Sequence, residues 1–261
     1  MSYATNSLYR FRMLSRYPRC LHGVTHKLEG QPLSCSVALH TGETEELVLQ
    51  NREQIALHFT QQGATHFVVA NQTHSDRIVV VEESKSYGWE SQDDAIVDCD
   101  GLITAQKGVM LGILTADCVP VLLYDPQKEV VAAIHAGWRG SASKIVLKAV
   151  KKMEHALGSS PCDIVAGIAP AIGGCCYEVD KEVASHFCAY PTALQDLGAN
   201  KMMLDLPEVN RLQLIEAGVK AENIELSGIC TACEVERFFS YRKEQGCSGR
   251  FMSLIGISPS V

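Results

Sequence analysis

The sequence predicts an α/β fold with mixed β-sheets, and three observations carry that reading. Short apolar runs crowd into residues 66–135, with connections too brief for crossover helices, which favours hairpins. Two longer stretches, 44–60 and 141–157, repeat apolar residues at helical spacing. A chain of 261 residues with 46% hydrophobic and 20% charged content has no linker-like or low-complexity stretch, so one domain is expected.

The elements follow in order. Residues 1–20 read as an N-terminal arm ahead of a domain spanning 21–261; Tyr9 to Arg19 carries four arginines and lacks the apolar core of a signal peptide. Leu33, Cys35, Val37 and Leu39 alternate and predict a strand over 32–39. Leu47, Asn51, Ile55 and Phe59 predict an amphipathic helix over 44–60, closed by Gly63. Strands are expected at His66–Ala70, Arg77–Glu82, Gly101–Thr104, Val109–Leu114, Val119–Tyr124 and Val130–His135, with a turn at Asp125-Pro126 between the last two. Asp117 and Pro120 interrupt the most apolar run, so it reads as two buried strands and not a membrane span. Ile145, Ala149, Val150, Met153 and Leu157 face one side of a helix over 141–157, lysines face the other, and Gly158 stands at its C-terminal cap. A strand at Asp163–Ile168, helices near 179–189 and 206–217, and a last strand at Phe251–Ile257 complete the chain.

Net charge is −7 with no basic block, which argues against a nucleic-acid surface. Eleven cysteines, an odd number with no secretion signal and no compact disulfide spacing, indicate a reduced, cytoplasmic protein whose cysteines serve mostly as small core residues.

Three segments carry chemistry: NQTHSD (71–76), TADC (115–118) and AAIHAGWRG (132–140). Each sets a His or Cys among polar or small residues at the end of an apolar run. His74, Cys118 and His135 together form a donor set that suits zinc. Three protein ligands leave one position open, as catalysis requires. Taken singly, a His or Cys on a strand is far more often a core or surface residue than a ligand. Arg139, between Gly137 and Gly140, can offer a fork of hydrogen bonds to phosphate or ribose.

The blocks NQTHSDRIVVV, DGLITAQKGVMLGILTADCVPVLLYDP, VAAIHAGWRG, GIAPAIGGCCYEV and CTACEVERFFSYRKEQGCSGRFMSLIGI, in this order from Leu21 to Ile257, resemble the laccase-domain family, also called YfiH-like or "polyphenol oxidase". Its members are now understood as purine nucleoside phosphorylases. The resemblance implies a single-domain four-layer α/β/β/α sandwich with mixed β-sheets. It implies one zinc ion on His74, Cys118 and His135. It also implies phosphorolysis of adenosine, inosine, guanosine or S-methyl-5′-thioadenosine with inorganic phosphate, and deamination of adenosine. One departure stands out: the chain has Thr25-His26-Lys27 where the family usually carries Ser/Thr-Arg and a double glycine, so an anion-binding role for that loop is in doubt.

Other residues carry two readings. Gln72 and Asp117 neighbour two expected ligands and are candidates to orient substrate; they also suit ordinary strand ends. Glu178 is a candidate for ribose hydroxyls or a helix-start glutamate. Arg242 and Arg250 read as surface pairing residues before phosphate ligands, and Trp138 as packing before purine stacking. Cys230 and Cys233 form a C-x-x-C that reads as a family block, with only Cys247 near it.

Three rival functions remain. Copper is the alternative metal, since two imidazoles and a thiolate bind it well. Nine histidines without a single H-x-H pair cannot build a trinuclear copper centre. Cys118 with His135 would also suit a cysteine hydrolase or deamidase. A binding domain pinned by structural zinc is the non-enzymatic reading.

Overall fold

The computed structural model of the chain describes residues 8–246 and 249–259. Its elements are β1 (Cys20–Val24), α1 (Glu45–Thr60), β2 (His66–Val69), β3 (Ile78–Val80), β4 (Gly101–Thr104), β5 (Val109–Thr115), β6 (Val119–Asp125) and β7 (Val130–Ala136). They continue with α2 (Trp138–Ala142), α3 (Ile145–Leu157), β8 (Val165–Ile168), β9 (Glu178–Asp180), α4 (Lys181–Ser185), β10 (Leu194–Gly198), β11 (Lys201–Leu204), α5 (Leu206–Glu216), β12 (Ile224–Leu226) and β13 (Phe251–Ile257).

Alternation along the central strands sorts side chains into three apolar layers. Val121, Leu123, Ala132 and Ile134 face α3 and α5, meeting Val146, Val150, Met153, Val209 and Leu214. Leu122, Tyr124, Val131 and Ala133 point the other way, into a core shared with Leu111 and Ile113 of β5 and Phe251 and Ile255 of β13. Met110, Leu114, Met252 and Leu254 turn outward again, onto Ile55 and Phe59 of α1. The result is helix, sheet, sheet, helix: the four-layer sandwich.

One sheet has the order β1-β13-β5-β2 and the other β12-β8-β6-β7-β4-β3. Both are mixed: β2 runs parallel to β5, and β3 to β4, while β6 and β7 form an antiparallel hairpin. A small sheet, β10-β11-β9, lies apart from these two. Residues ahead of β1 join the packing, with Phe11 and Leu14 fully buried between the sheets. Gly167 on β8 makes room for Phe11, whose ring would lie 2.7 Å from a Cβ there.

Three local expectations are corrected. Residues 32–39 form no strand. Leu33, Ser34 and Cys35 take left-handed backbone angles, and α1 side chains satisfy the segment instead: Asn51 donates to the Pro32 and Ser36 carbonyls and Arg52 to that of Val37. The helix expected over 141–157 begins earlier and breaks at Lys144, where φ is 58°, giving α2 and α3. The helix near 179–189 shrinks to α4, because Glu178–Asp180 pairs as β9 with β11. The β10–β11 hairpin matches no expected element; β10 is largely exposed and β11 half-buried, and its one signal is the Gly198-Ala199-Asn200 turn, all at positive φ.

Among the described cysteines only Cys20, Cys35 and Cys99 are buried, so the core role expected for most of them does not hold. Cys247 lies outside the described residues. Among the described residues no helix is long and apolar enough to cross a membrane.

Candidate active site and metal centre

The β6–β7 register places Pro120 opposite His135 and Val119 opposite Ala136. Cys118, at the entry to β6, therefore lies beside the exit of β7. His74 comes from the loop after β2 and takes a left-handed conformation, φ 61°. The ligand atoms of His74, Cys118 and His135 all lie within 4.8 Å of one another. His74 Nε2 is 3.8 Å from Cys118 Sγ, and the two imidazole rings stand 4.8 Å apart at 80°. A tetrahedral zinc ion would separate such an N and S by roughly 3.6 Å, so the donors are spaced for one small ion.

Asp100, just ahead of β4, holds this arrangement. Its carboxylate accepts backbone N–H bonds from Thr73 (3.2 Å), His74 (3.0 Å) and Ser75 (2.7 Å), and the Ser75 hydroxyl at 2.7 Å. It also accepts from His135 Nδ1 at 2.6 Å. With Nδ1 on Asp100, the other ring nitrogen, Nε2, is the one turned to Cys118, as expected of a metal-ligating histidine. Burial opposes ionisation of Asp100, but the hydrogen bond and charge of His135, together with the Ser75 hydroxyl and amide bonds, outweigh it and hold the carboxyl at about 2. Burial likewise opposes the Cys118 thiolate, yet the facing His135 brings the thiol down to about 6. The thiolate and Asp100 in turn raise His135 to about 9 against its own desolvation. Sequence reading missed Asp100; an aspartate before the strand-opening Gly101 looks like a turn residue.

Gly137 closes the approach between the ligands. A Cβ there would sit 3.1 Å from Cys118 Sγ and 3.1 Å from His74 Cδ2. Above the donors opens a cavity of about 510 Å³, whose wall includes Gln72, Asp117, Trp138, Tyr177, Arg242 and Arg250. That volume is in the ordinary range for a small-molecule site.

The other expected residues divide. Gln72 lines the cavity, but its amide is engaged with Leu114, accepting from N and donating to O at 2.8 Å each. Asp117 lines it too, and accepts from Thr231, Ser240 and the Arg242 amide at 2.7 Å each, tying the 231–242 segment to the ligand-bearing strand. Arg139 does not line the cavity. It is exposed and lays its guanidinium over Trp138, 4.5 Å from the ring centroid. Glu178 also lies outside, on β9, facing Lys201 at 3.5 Å. The cations on the wall are Arg242 and Arg250. Arg242 sits over Tyr177, 5.1 Å from its ring, and donates to the Glu178 carbonyl at 3.0 Å. Lys27 is turned to Glu244 (2.7 Å) and the Val235 carbonyl (2.8 Å), bracing the segment that carries Arg242.

Residues 22–258 match the family described as multi-copper polyphenol oxidoreductase laccase. A Bacillus subtilis protein named purine nucleoside phosphorylase YlmD is 40% identical over 230 residues, 86% of this chain and 82% of that protein. A protein named adenosine deaminase RL5, from an unknown prokaryotic organism, is 37% identical over 189 residues, 70% of this chain and 72% of that one. The crystal structure of the Bacillus licheniformis hypothetical protein YfiH superposes with a TM-score of 0.90 at 36% identity, covering 98% of both chains. By sequence and by fold, the chain belongs to the laccase-domain family, whose YlmD and YfiH members it is similar to along nearly its whole length.

Proposed function

We propose that this chain is a zinc-dependent, cytoplasmic purine nucleoside phosphorylase. It acts on adenosine, inosine, guanosine or S-methyl-5′-thioadenosine with inorganic phosphate, and it also deaminates adenosine. The observation that carries the reading is the open set of His74, Cys118 and His135 at the base of a cavity with two arginines on its wall. The names borne by the relatives support the same chemistry.

The donor set fits the metal: one thiol already poised as a thiolate and two imidazoles, one of them oriented by a buried carboxylate. A zinc ion bound there supplies Lewis-acid polarisation and activates water near neutral pH. In phosphorolysis a phosphate oxygen bonds to C1′ while the C1′–N9 bond breaks, and its electron pair leaves with the purine. Arg242 and Arg250 are placed to hold the attacking anion by charge-assisted hydrogen bonds. Arg139 and Glu178 lie outside the wall. Gln72 and Asp117 hold the walls in register through bonds to Leu114 and to the 231–242 segment. Tyr177 and Trp138 present aromatic surface to a purine.

A cysteine hydrolase is the second reading, favoured by the ionised Cys118 facing His135. Copper in the same site is the third. A chromatographic assay of a purine nucleoside panel, with and without phosphate, on protein of measured metal content separates them. The expected result is phosphate-dependent release of free base that is lost on chelation and restored by zinc. Cys118→Ala should lower zinc content and phosphorolysis together. Zinc-loaded protein that turns over no purine nucleoside would overturn the proposal and support the binding-domain reading.

A further inference from the structure

A second cluster of soft donors lies away from these residues. Cys175 and Cys176 follow the Gly173-Gly174 turn between β8 and β9. Cys230 and Cys233 follow β12. The backbones of the two segments meet in a bridge between Ala171 and Cys230, with Thr231 N donating to Ala171 O at 3.0 Å. All four sulfur atoms lie within 4.8 Å of one another. Three separations are 3.8 Å (Cys175–Cys176), 3.6 Å (Cys175–Cys233) and 3.4 Å (Cys176–Cys233).

These distances discriminate among the things four cysteines do. Disulfide sulfurs stand about 2.05 Å apart, far shorter than any of these. An iron–sulfur cluster puts several metal and sulfide atoms between its thiolates and spreads them wider than this. Four thiolates around one tetrahedral ion at about 2.3 Å are separated by roughly 3.8 Å, close to the three separations given, and Cys230 Sγ lies within 4.8 Å of each of the others. We propose that Cys175, Cys176, Cys230 and Cys233 bind one zinc ion as a closed four-thiolate site, separate from the His74, Cys118 and His135 set.

The surroundings favour thiolates. Gly173 N donates to Cys230 Sγ at 3.3 Å, and the Cys233 amide also reaches that sulfur. Burial works against ionisation of Cys230, but these amides bring it below the ordinary thiol value. Burial, then the neighbouring thiols, push Cys175 up to about 11 and Cys176 higher. The first thiolate thus disfavours the others, a repulsion that a divalent cation reverses. On binding, four Zn–S bonds form and the thiol protons pass to solvent. The site has no open position for substrate. Its effect is to clamp the stretch that gives Ile172 and Tyr177 to the cavity wall onto the stretch bearing Thr231, which lies behind the wall and donates to the wall residue Asp117 at 2.7 Å.

The test measures zinc and iron per chain in the full-length protein, purified from zinc-supplemented cells without chelator. Wild type should hold two zinc ions, Cys118→Ala one, and Cys233→Ser one. Cobalt added to metal-free Cys118→Ala protein should give the intense near-ultraviolet thiolate-to-cobalt band and the visible bands of a tetrahedral four-thiolate site. X-ray absorption at the zinc edge of wild type needs no variant, and should show sulfur outnumbering nitrogen. One zinc per chain with a nitrogen-rich shell overturns the proposal. So does a disulfide within the cluster by non-reducing mass spectrometry, or iron in place of zinc. The outcome is independent of phosphorolysis, because the reading concerns a different set of ligands.

Discussion

Asp100 and His135 are joined twice: the carboxylate accepts from His135 Nδ1 at 2.6 Å, and the Asp100 carbonyl accepts the His135 amide at 2.7 Å. The same carboxylate takes the His74 amide, so one buried side chain aims two of the three candidate ligands. Asp100→Asn keeps the shape but removes the charge and one acceptor oxygen. Metal affinity at this site should fall about 10–100-fold, the usual effect of losing such a support. Competition against a chromophoric chelator measures it, and unchanged affinity would remove Asp100 from that role.

Gly137→Ala tests the packing between the ligands. The backbone there, φ −66°, accepts alanine without strain. The added methyl would press on Cys118 Sγ and His74 Cδ2 at 3.1 Å each. Thermal stability of the metal-free protein should stay within about 1 kcal/mol of wild type, on the scale of ordinary substitutions, while metal affinity and turnover fall. Equal losses in both would show that the glycine serves the fold rather than the site.

The two arginine positions separate under phosphate titration. Arg242→Ala removes a cation from the cavity wall, and a charge-assisted hydrogen bond is worth about 1.5–3 kcal/mol, so KM for phosphate should rise about 10–100-fold. Arg139→Ala removes an exposed guanidinium stacked on Trp138 and should leave KM for phosphate within about twofold, in line with the small energy of exposed cation–π contacts. The reverse pattern would return the anion to the helix-start arginine.

His22 makes stability depend on pH. It is 1% exposed, and its Nε2 accepts the Phe11 amide at 3.1 Å, which requires the unprotonated ring. Burial, with Arg10 adding to it, lowers His22 from 6.5 to about 4. Between those values the unfolded chain binds the proton more readily than the native one, so stability is full above 6.5 and declines as pH falls toward 4. The loss is on the order of 3 kcal/mol by linkage. Denaturant midpoints across that range should drop in wild type and flatten in His22→Gln; parallel curves would count against the assignment.

The parts of the molecule legible in the sequence are those where one physical signal dominates. Gly101–Thr104 and Phe251–Ile257 are strands buried on both faces and bounded by turn residues, so their limits are plain. The segment 32–39 misleads because Cys35 and Val37 are buried without a ladder, through bonds to α1 side chains that no local pattern reveals. His74, Cys118 and His135 stand out by type and by position at strand ends, and the fold brings them together. Arg139 falls one residue into α2, where successive side chains point in different directions, so Trp138 takes the cavity side and Arg139 the solvent. The thiol cluster is hidden in the sequence because its two close pairs, Cys175 with Cys176 and Cys230 with Cys233, are distant in the chain and meet only through the bridge at Ala171.

The β6–β7 register also bears on what keeps the three donors together. Cys118 and His135 share one hairpin and are fixed beside each other by its ladder. His74 reaches them from a separate loop whose backbone rests on the Asp100 carboxylate. Loosening of that loop would withdraw one donor and leave the other two in register, so the order of a single loop decides whether the set is complete.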